Sequence, residues 1–160
     1  MVTVRETVAG DWQALRDIRL EALRTAPDAF GSTYEREANR GEEHWHNRIA
    51  RGGTFLAYLP GAPDPAGLIG GYAEDPQTVE LVSMYVRPSA RGRGVGEALV
   101  ATVVDWANTM NATTVHLWVT ETNAPARALY ERCGFALTGE QQALPSDPSL
   151  GEVAMSRTLP

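Results

Sequence analysis

The chain has 160 residues, of which 43% are hydrophobic and 21% are charged. These values are ordinary for a globular protein, so they argue against disorder or a fibrous structure, and the length suits a single domain over residues 1–160. The formal net charge of −6 opposes nonspecific attraction to nucleic acid or to an anionic membrane, and at long range it favours cationic substrates.

The cysteine content and the hydropathy indicate the cellular compartment of the protein. Cys133 is the single cysteine, which excludes an internal disulfide and a metal site built from several thiolates. The amino-terminal residues lack a basic segment followed by an apolar run, and no uninterrupted stretch of about 18 apolar residues occurs. The sequence therefore predicts a cytoplasmic protein without a membrane span.

Residue periodicity predicts strands and helices in mixed order, an α/β (mixed) fold. Apolar runs bounded by turn residues indicate strands over residues 2–7, 54–59, 66–73, 78–86, 114–119, one opening at Phe135, and one around 152–159. Apolar residues at helical spacing indicate helices from Trp12 to before Pro27, from about Glu42, over 95–110 and over 124–133. Asp11 is placed to cap the first helix and Gly134 to end the last one. A loop that contains Pro145 and Pro148 is expected before the final strand.

Three glycines, Gly92, Gly94 and Gly96, lie where the strand 78–86 gives way to the long helix. Glycine lets the backbone approach a ligand closely, and a helix start adds free N–H donors and a positive dipole end, so the segment predicts a phosphate site. It fits neither a nucleotide-triphosphate loop, since no lysine follows Gly96, nor the dinucleotide fingerprint, since position 97 is Glu97. The alternative is a surface turn whose glycines permit tight packing between strand and helix.

The pattern Arg91-x-x-Gly94-x-Gly96, after a strand that ends Val-x-Pro, resembles the coenzyme A pyrophosphate loop of GNAT acetyltransferases. Farther along, Asn123-x-x-Ala126-x-x-Leu129-Tyr130-x-x-x-Gly134-Phe135 resembles the later cofactor-binding helix of that family. The resemblance covers residues 54–135 well and the first 50 residues only loosely. It implies the GNAT acyltransferase fold, a central, mostly antiparallel, twisted sheet of about six to seven strands flanked by about four helices.

The resemblance also implies an activity and a cosubstrate. An N-acetyltransferase of this family transfers an acetyl group from acetyl-CoA to a primary amine of a small molecule or peptide, by direct attack in a ternary complex. The cofactor-binding residues it implies are Met84, Tyr85, Val86, Arg91, Gly92, Arg93, Gly94, Val95, Gly96, Glu97, Asn123 and Tyr130. The alternative is a noncatalytic acyl-CoA-binding or regulatory module on the same fold, against which an intact Tyr130 and Asn123 argue mildly.

Acetyl transfer to an amine needs a neutral amine, a donor for the developing oxyanion and a proton for the departing thiolate. The family places its general acid at Tyr130, and the ordinary pKa of a phenol, about 10, suits that task. The alternative is a packing residue whose hydroxyl is bonded to the backbone. Glu80 is the predicted base, directly or through water, with His116 and water itself as alternatives. Cys133 is predicted to be a buried structural thiol and not an acetyl carrier.

The acceptor side is predicted to lie in segments outside the two cofactor motifs, because those motifs are committed to the cofactor. Residues 29–35 and 143–148 should frame it, with Phe30 and Tyr34 as candidate substrate contacts. The oxyanion donor is expected to be a backbone N–H near Met84, at a bulge that the letters do not reveal. His44 and His46 are two residues apart and point in different directions on a helix, so no metal site is predicted. An amine acceptor is the one expected partner, without nucleic acid or membrane, and a homodimer is left open.

Overall fold

The computed structural model describes all residues 1–160 and contains a seven-stranded sheet and five α-helices. The strands are β1 (Thr3–Glu6), β2 (Thr54–Tyr58), β3 (Gly67–Ala73), β4 (Thr78–Val86), β5 (Thr114–Thr120), β6 (Ala136–Leu144) and β7 (Asp147–Thr158). The helices are α1 (Trp12–Thr25), α2 (Tyr34–Ala38), α3 (Glu42–Ala50), α4 (Val95–Thr109) and α5 (Ala124–Arg132). None of them is both long and apolar enough to span a bilayer.

The strand order is β1-β2-β3-β4-β5-β7-β6, and the sheet is mostly antiparallel, as predicted. The exception is the parallel pair β4–β5, which needs a crossover because parallel neighbours cannot be joined by a tight turn. Helix α4 supplies that crossover. The hairpin predicted for residues 54–73 is present as β2 and β3.

Each face of the sheet packs against different helices, because alternate residues of a strand point to opposite faces. On one face α4 covers β1 to β4, and the larger apolar core includes Leu99, Val103 and Leu117. On the other face α1 and α3 cover the β2–β3 side, with Leu15 and Trp45 fully buried. The same face of β5 carries His116, Trp118 and Thr120, and residues Pro27–Ala29 meet it at Thr120, whose hydroxyl donates a hydrogen bond to the Asp28 carbonyl.

Strands β4 and β5 are paired only from Thr78–Thr114 to Glu80–His116 and then part. Over the same stretch β4 keeps its pairing with β3, but its register shifts, so that three residue steps from Val82 to Tyr85 oppose two steps on β3. This is a β-bulge, and its residue Ser83 has a φ of +62°. The bulge and the parting of the strands open a wedge at the carboxyl end of β4.

Several predicted details of the fold are wrong. Asp11 precedes α1 but does not cap it, because its carboxylate accepts hydrogen bonds from the Val8 N–H and the Arg5 guanidinium, at 2.8 Å each. The loop before the last strand shrinks to two residues, and Pro148 lies within β7. Proline is tolerated there because β7 pairs with β5 only from Glu152 onwards.

The polar segment before the second predicted helix also holds structure that periodicity did not reveal. Helix α2 has five residues, too few for an apolar stripe, and its start is fixed by the Thr33 hydroxyl, which accepts a hydrogen bond from the Arg36 N–H at 3.1 Å. The helix count is therefore five.

Candidate active site

A groove of about 580 Å³ runs from the wedge along the starts of α4 and α5. Most of the residues that the two motifs singled out line it, namely Met84, Tyr85, Val86, Arg91, Gly92, Gly94, Val95, Gly96, Glu97 and Asn123. Arg93 does not line the groove and is exposed to solvent. The predicted cofactor-binding residues therefore share one groove, except Arg93 and Tyr130, and their contact with a cofactor stays a prediction.

The glycine turn presents a row of unused hydrogen-bond donors. The backbone N–H groups of residues 92–97 make no hydrogen bond within the chain, and the first bond of this kind in α4 joins the Ala98 N–H to the Gly94 carbonyl at 3.1 Å. No side chain caps α4. Consecutive free N–H groups at the positive end of a helix dipole form an anion site. This part of the groove is therefore built to take phosphate oxygens.

The glycines of this turn have two different functions. Gly92 and Gly94 have φ angles of +75° and +81°, a left-handed conformation that other residues rarely adopt, and a Cβ at either position would meet nothing within 4 Å. Gly96 has helical geometry, but a Cβ there would lie 3.0 Å from Leu129 and 3.2 Å from Met84. Gly96 is therefore needed for the close packing of α4 against Leu129 and Met84, whereas Gly92 and Gly94 are needed for their backbone conformation.

Asn123 fixes the start of α5 at the far wall of the groove. Its Oδ1 accepts a hydrogen bond from the Ala126 N–H at 3.3 Å, as expected of an N-cap residue. Its amide NH₂ makes no hydrogen bond within the chain, so those donors remain available to a ligand.

Tyr130 lies on α5 and lines a cavity of about 80 Å³ between the parted strands, together with Met84, Ser83 and Phe30. The residue is only 5% exposed, and its ring packs against Phe135 with the centroids 6.0 Å apart. Its hydroxyl makes no hydrogen bond within the chain, so the packing alternative with a backbone partner is not observed. Burial raises the pKa of Tyr130, which keeps the phenol protonated throughout the physiological range.

Glu80 and His116 face each other across the last pair of β4 and β5. The distance from His116 Nδ1 to Glu80 Oε2 is 2.8 Å, and His116 Nε2 lies 3.1 Å from Glu140 Oε1. Because both ring nitrogens meet carboxylate oxygens, the doubly protonated imidazolium satisfies both contacts. The sequence treated Glu80 and His116 as alternatives, whereas the structure joins them in one hydrogen-bonded pair.

The pKa values of this pair are raised. Burial raises the pKa of Glu80 to about 7, although the neighbouring His116 opposes part of the shift. For His116, burial lowers the pKa, but the contacts with Glu80 and Glu140 outweigh it and the net shift is upward. Groups this close titrate as a unit. The pair therefore releases a proton near neutral pH, where a general base is most effective.

Glu74 adds a third group to this cluster, and one donor atom from each of Glu74, Glu80 and His116 lies within 4.8 Å of the others. Imidazole and carboxylate are ligands that several divalent metals accept. Sequence reasoning weighed His44 and His46 for a metal and missed this group, because its members come from three different strands or turns.

The two predicted acceptor segments are in contact, but their aromatic residues Phe30 and Tyr34 lie in different places. The Ser146 hydroxyl donates to the Phe30 carbonyl at 2.5 Å, so residues 29–35 and the turn after β6 are in contact. The Phe30 ring is buried beneath the Arg19 guanidinium and lines the cofactor groove and the small cavity. Tyr34 lies on the surface beside Arg24 and lines neither. Of the two predicted substrate contacts, only Phe30 is near the wedge.

A second large cavity, of about 620 Å³, was not predicted. It lies between α3, the end of α4 and strands β3 and β4, and Arg19, Arg48 and Arg51 form its cationic wall. It shares Val82 and Ser83 with the small cavity beside Tyr130. The arginines are far apart in the sequence, so only Gly70, whose missing side chain leaves room on this face of β3, could have signalled it. A Cβ at Gly71 would instead meet Trp106 and Val103 of α4.

Cys133 lies at the end of α5 and is half-buried, not buried as predicted. Burial and the nearby Glu97 raise the pKa of its thiol, so the thiolate needed for nucleophilic attack is disfavoured at neutral pH. This favours a structural role for Cys133 over the role of an acetyl carrier.

Comparison with known proteins places this geometry in a family. Residues 12–135 match the profile of the acetyltransferase (GNAT) family. Streptothricin acetyltransferase of Streptomyces lavendulae is 34% identical over 159 residues, which are 96% of this chain and 79% of that enzyme. Mycothiol acetyltransferase of Mycobacterium avium (strain 104) is 31% identical over 141 residues, and the match covers 80% of this chain but only 43% of that enzyme.

A solved structure shares the fold over the whole chain. The yncA protein of Salmonella typhimurium, in complex with its cofactor acetyl-CoA, superposes with a TM-score of 0.79 over 100% of this chain and 95% of its own. The two sequences are 19% identical, so the likeness is one of fold.

Proposed function

Because the chain belongs to the GNAT acetyltransferase family and is an N-acetyltransferase, we propose that it transfers the acetyl group of acetyl-CoA to the primary amine of a small molecule or peptide by direct attack in a ternary complex. One observation carries the proposal: the row of free N–H donors at residues 92–97 leads along the groove to the wedge where Tyr130 lies. A phosphate site and a reaction centre joined by one groove suit a long acyl carrier with a diphosphate.

The cofactor groove divides between the two ends of acetyl-CoA. The N–H groups of residues 92–97 and the helix dipole of α4 hold the pyrophosphate. The edge of β4 from Leu81 to Val86 has no strand partner on its β5 side, so it pairs with the amide groups of the pantetheine arm. Arg91 lies beside this edge, where its Nε donates to the Val86 carbonyl at 3.2 Å, and its other donors add positive charge.

Glu80 takes the proton that an ammonium substrate must lose before its nitrogen can attack. Its buried carboxylate has a pKa of about 7 and lies on the face of the sheet opposite α4, where the acceptor enters. His116 is less suited to the task, because carboxylates occupy both of its ring nitrogens and raise its pKa. His116 positions Glu80, and a bridging water extends the reach of the carboxylate.

The remaining steps use the bulge and Tyr130. The free amine attacks the thioester carbonyl and forms the C–N bond, while a backbone N–H near Met84 donates to the oxyanion. Collapse of the adduct breaks the C–S bond, and Tyr130 donates its phenolic proton to the leaving sulfur. The adduct nitrogen loses its second proton, which reprotonates Tyr130, so the amide and the thiol of coenzyme A leave and only the proton taken by Glu80 passes to solvent. The Tyr130 hydroxyl suits this role because it is protonated and has no partner within the chain.

Acetyl transfer predicts that the protein releases thiol from acetyl-CoA only when an amine is present. The measurement is thiol release with and without a panel of small amines and amine-bearing peptides, with the acetylated product identified by mass. Hydrolysis that no amine accelerates, or acetyl-CoA binding without any turnover, would instead support the noncatalytic module.

Gly94→Glu should weaken coenzyme A binding by more than about tenfold, because the side chain adds bulk and negative charge at an anion site. Calorimetry with coenzyme A measures the affinity. Gly139→Glu is the matched control, since Gly139 also has a positive φ and open space around it but lies on β6, outside the groove. Equal affinity of folded Gly94→Glu and wild type would remove pyrophosphate from this turn.

The rate should rise with pH through about 7, because Glu80 accepts a proton only when ionised and its pKa is raised to that value. Glu80→Gln should abolish that rise. Part of the rate should return at alkaline pH, where the amine loses its proton to solvent without a protein base. Glu74→Gln should shift the midpoint to lower pH, because the charge and hydrogen bond of Glu74 help to raise the pKa of Glu80. A uniform loss at every pH in Glu80→Gln would indicate a structural role.

Tyr130→Phe should lower turnover by about 10²- to 10⁴-fold at saturating acetyl-CoA, because a general acid contributes that much and only the hydroxyl is removed. Packing against Phe135 is retained, so stability and coenzyme A affinity should stay near wild type. The measurements are thiol release with a verified amine and calorimetry with coenzyme A. Equal turnover, or a loss no greater than the loss of cofactor affinity, would leave Tyr130 as a packing residue.

A further inference from the structure

The cavity between α3 and strands β3 and β4 contains more positive charge than the chain neutralises. Arg19, Arg48 and Arg51 line it, and no carboxylate does. Glu37 is the one acidic partner of the group, bound by Arg19 Nε and Nη2 at 3.0 and 2.9 Å. Two guanidinium charges therefore remain without a counter-ion in a protein whose formal net charge is −6.

The hydrogen bonds of these arginines are also incomplete. Arg19 is 7% exposed, and its Nη1 is buried with no hydrogen-bond partner. Arg48 donates from Nη2 to the Ser83 hydroxyl at 2.8 Å and forms no ion pair, and Arg51 forms neither a hydrogen bond nor an ion pair. Burial and the neighbouring Arg19 lower the pKa of Arg48 to about 10, which leaves it charged at neutral pH. An arginine without a carboxylate in such a cavity favours an anion from outside.

The position of the cavity connects this charge to the reaction centre. Ser83, the partner of Arg48, is the bulge residue next to Met84, and it lines both this cavity and the small cavity that contains Tyr130. On the same face, Tyr72 lines the cavity and is the direct cross-strand partner of Glu80. A molecule in the cavity therefore lies between the base at one side and the wedge at the other.

We propose that the acceptor is a small amine that also carries a carboxylate, and that Arg48 and Arg51, backed by Arg19, bind that carboxylate while the amine faces Glu80 and the wedge. The inference rests on the proposed acetyl transfer and specifies its substrate class. A volume of about 620 Å³ admits a molecule of this size. Tyr72, Trp106 and Met110 give the rest of the wall an apolar surface for the body of the molecule.

The test compares ω-amino acids of increasing chain length with their amides. Once several methylene groups separate the two ends, the members of each pair have the same length and a similar amine pKa but differ in the carboxylate. With the full chain and saturating acetyl-CoA, we expect kcat/KM to be roughly 10- to 100-fold higher for the acid of the best pair, the range for a hydrogen-bonded charge. The preference should appear in KM more than in kcat, because the carboxylate is bound equally before and during the reaction.

Variants assign the preference to the arginines. Arg51→Gln should lower kcat/KM for the acid and leave that for the amide nearly unchanged. Arg48→Gln also removes the hydrogen bond to the bulge residue Ser83, so it should lower kcat/KM for both substrates and more for the acid, and Arg48→Lys should restore the preference in part. Arg36→Gln is the control, because Arg36 is an exposed arginine on α2 outside the cavity. Arg51 is exposed, so its variant remains informative even if Arg48→Gln fails to fold.

A binding measurement separates failure of this inference from failure of the proposed function. Calorimetry with the N-acetylated acid and its amide should show binding of the acid alone, lost in Arg51→Gln. Equal use of acids and amides with active enzyme would overturn the inference and leave acetyl transfer intact. If no amine is acetylated, the proposed function fails, and acid binding that depends on Arg51 would still support the anion site. If acids are not preferred over amides and the N-acetylated acid does not bind, the proposed anion site is wrong.

Discussion

The parting of β4 and β5 is the constraint on which the rest of the molecule depends. Parallel pairing holds for three residue pairs and ends at Glu80 and His116. Beyond that point β4 bulges, with Ser83 in a left-handed conformation that costs about 1–2 kcal/mol for a residue other than glycine. The hydrogen bond from Arg48 to Ser83 helps to hold this conformation. Without the bulge the strands would stay closed, and the phenol of Tyr130 would face packed side chains.

This opening separates two chemistries on the two faces of one sheet. Where β4 leads into α4, free backbone donors and a helix dipole form the proposed phosphate site. On the α3 face, guanidinium groups form a site that depends wholly on side chains. Both proposed sites are for anions although the chain as a whole is acidic, so the net charge describes long-range behaviour and not the proposed ligands.

Sequence reasoning succeeded where a feature is local. The glycine turn, the start of α4 and the start of α5 each lie within a few consecutive residues, so their conformation depends on near neighbours in the chain. The periodicity of α1 and α4 likewise follows from burial of one helix face. Even so, Gly96 shows that a motif residue can have a packing function, because its contacts with Leu129 and Met84 come from elements far along the chain.

Features that depend on distant pairing could not be predicted in the same way. The Glu80–His116 contact requires the register of β4 against β5, and the shift of each pKa requires the burial that follows from it. Arg19, Arg48 and Tyr72 look like ordinary surface residues in the sequence and become neighbours only when α1 and α3 pack on the sheet. Asp11 misled the prediction because Arg5, on the first strand, competes for the carboxylate that would have capped the helix.

Gly70 forms part of the cavity floor simply by having no side chain. Its backbone is ordinary, and the nearest atom that a Cβ would meet is a Val82 methyl at 3.3 Å. A larger residue there would narrow the cavity and press on Val82, which also lines the small cavity beside Tyr130, whereas the glycine turn lies elsewhere. The largest acceptor that the cavity admits is thus limited at one glycine of its floor, separately from the backbone turn proposed to hold the acyl donor.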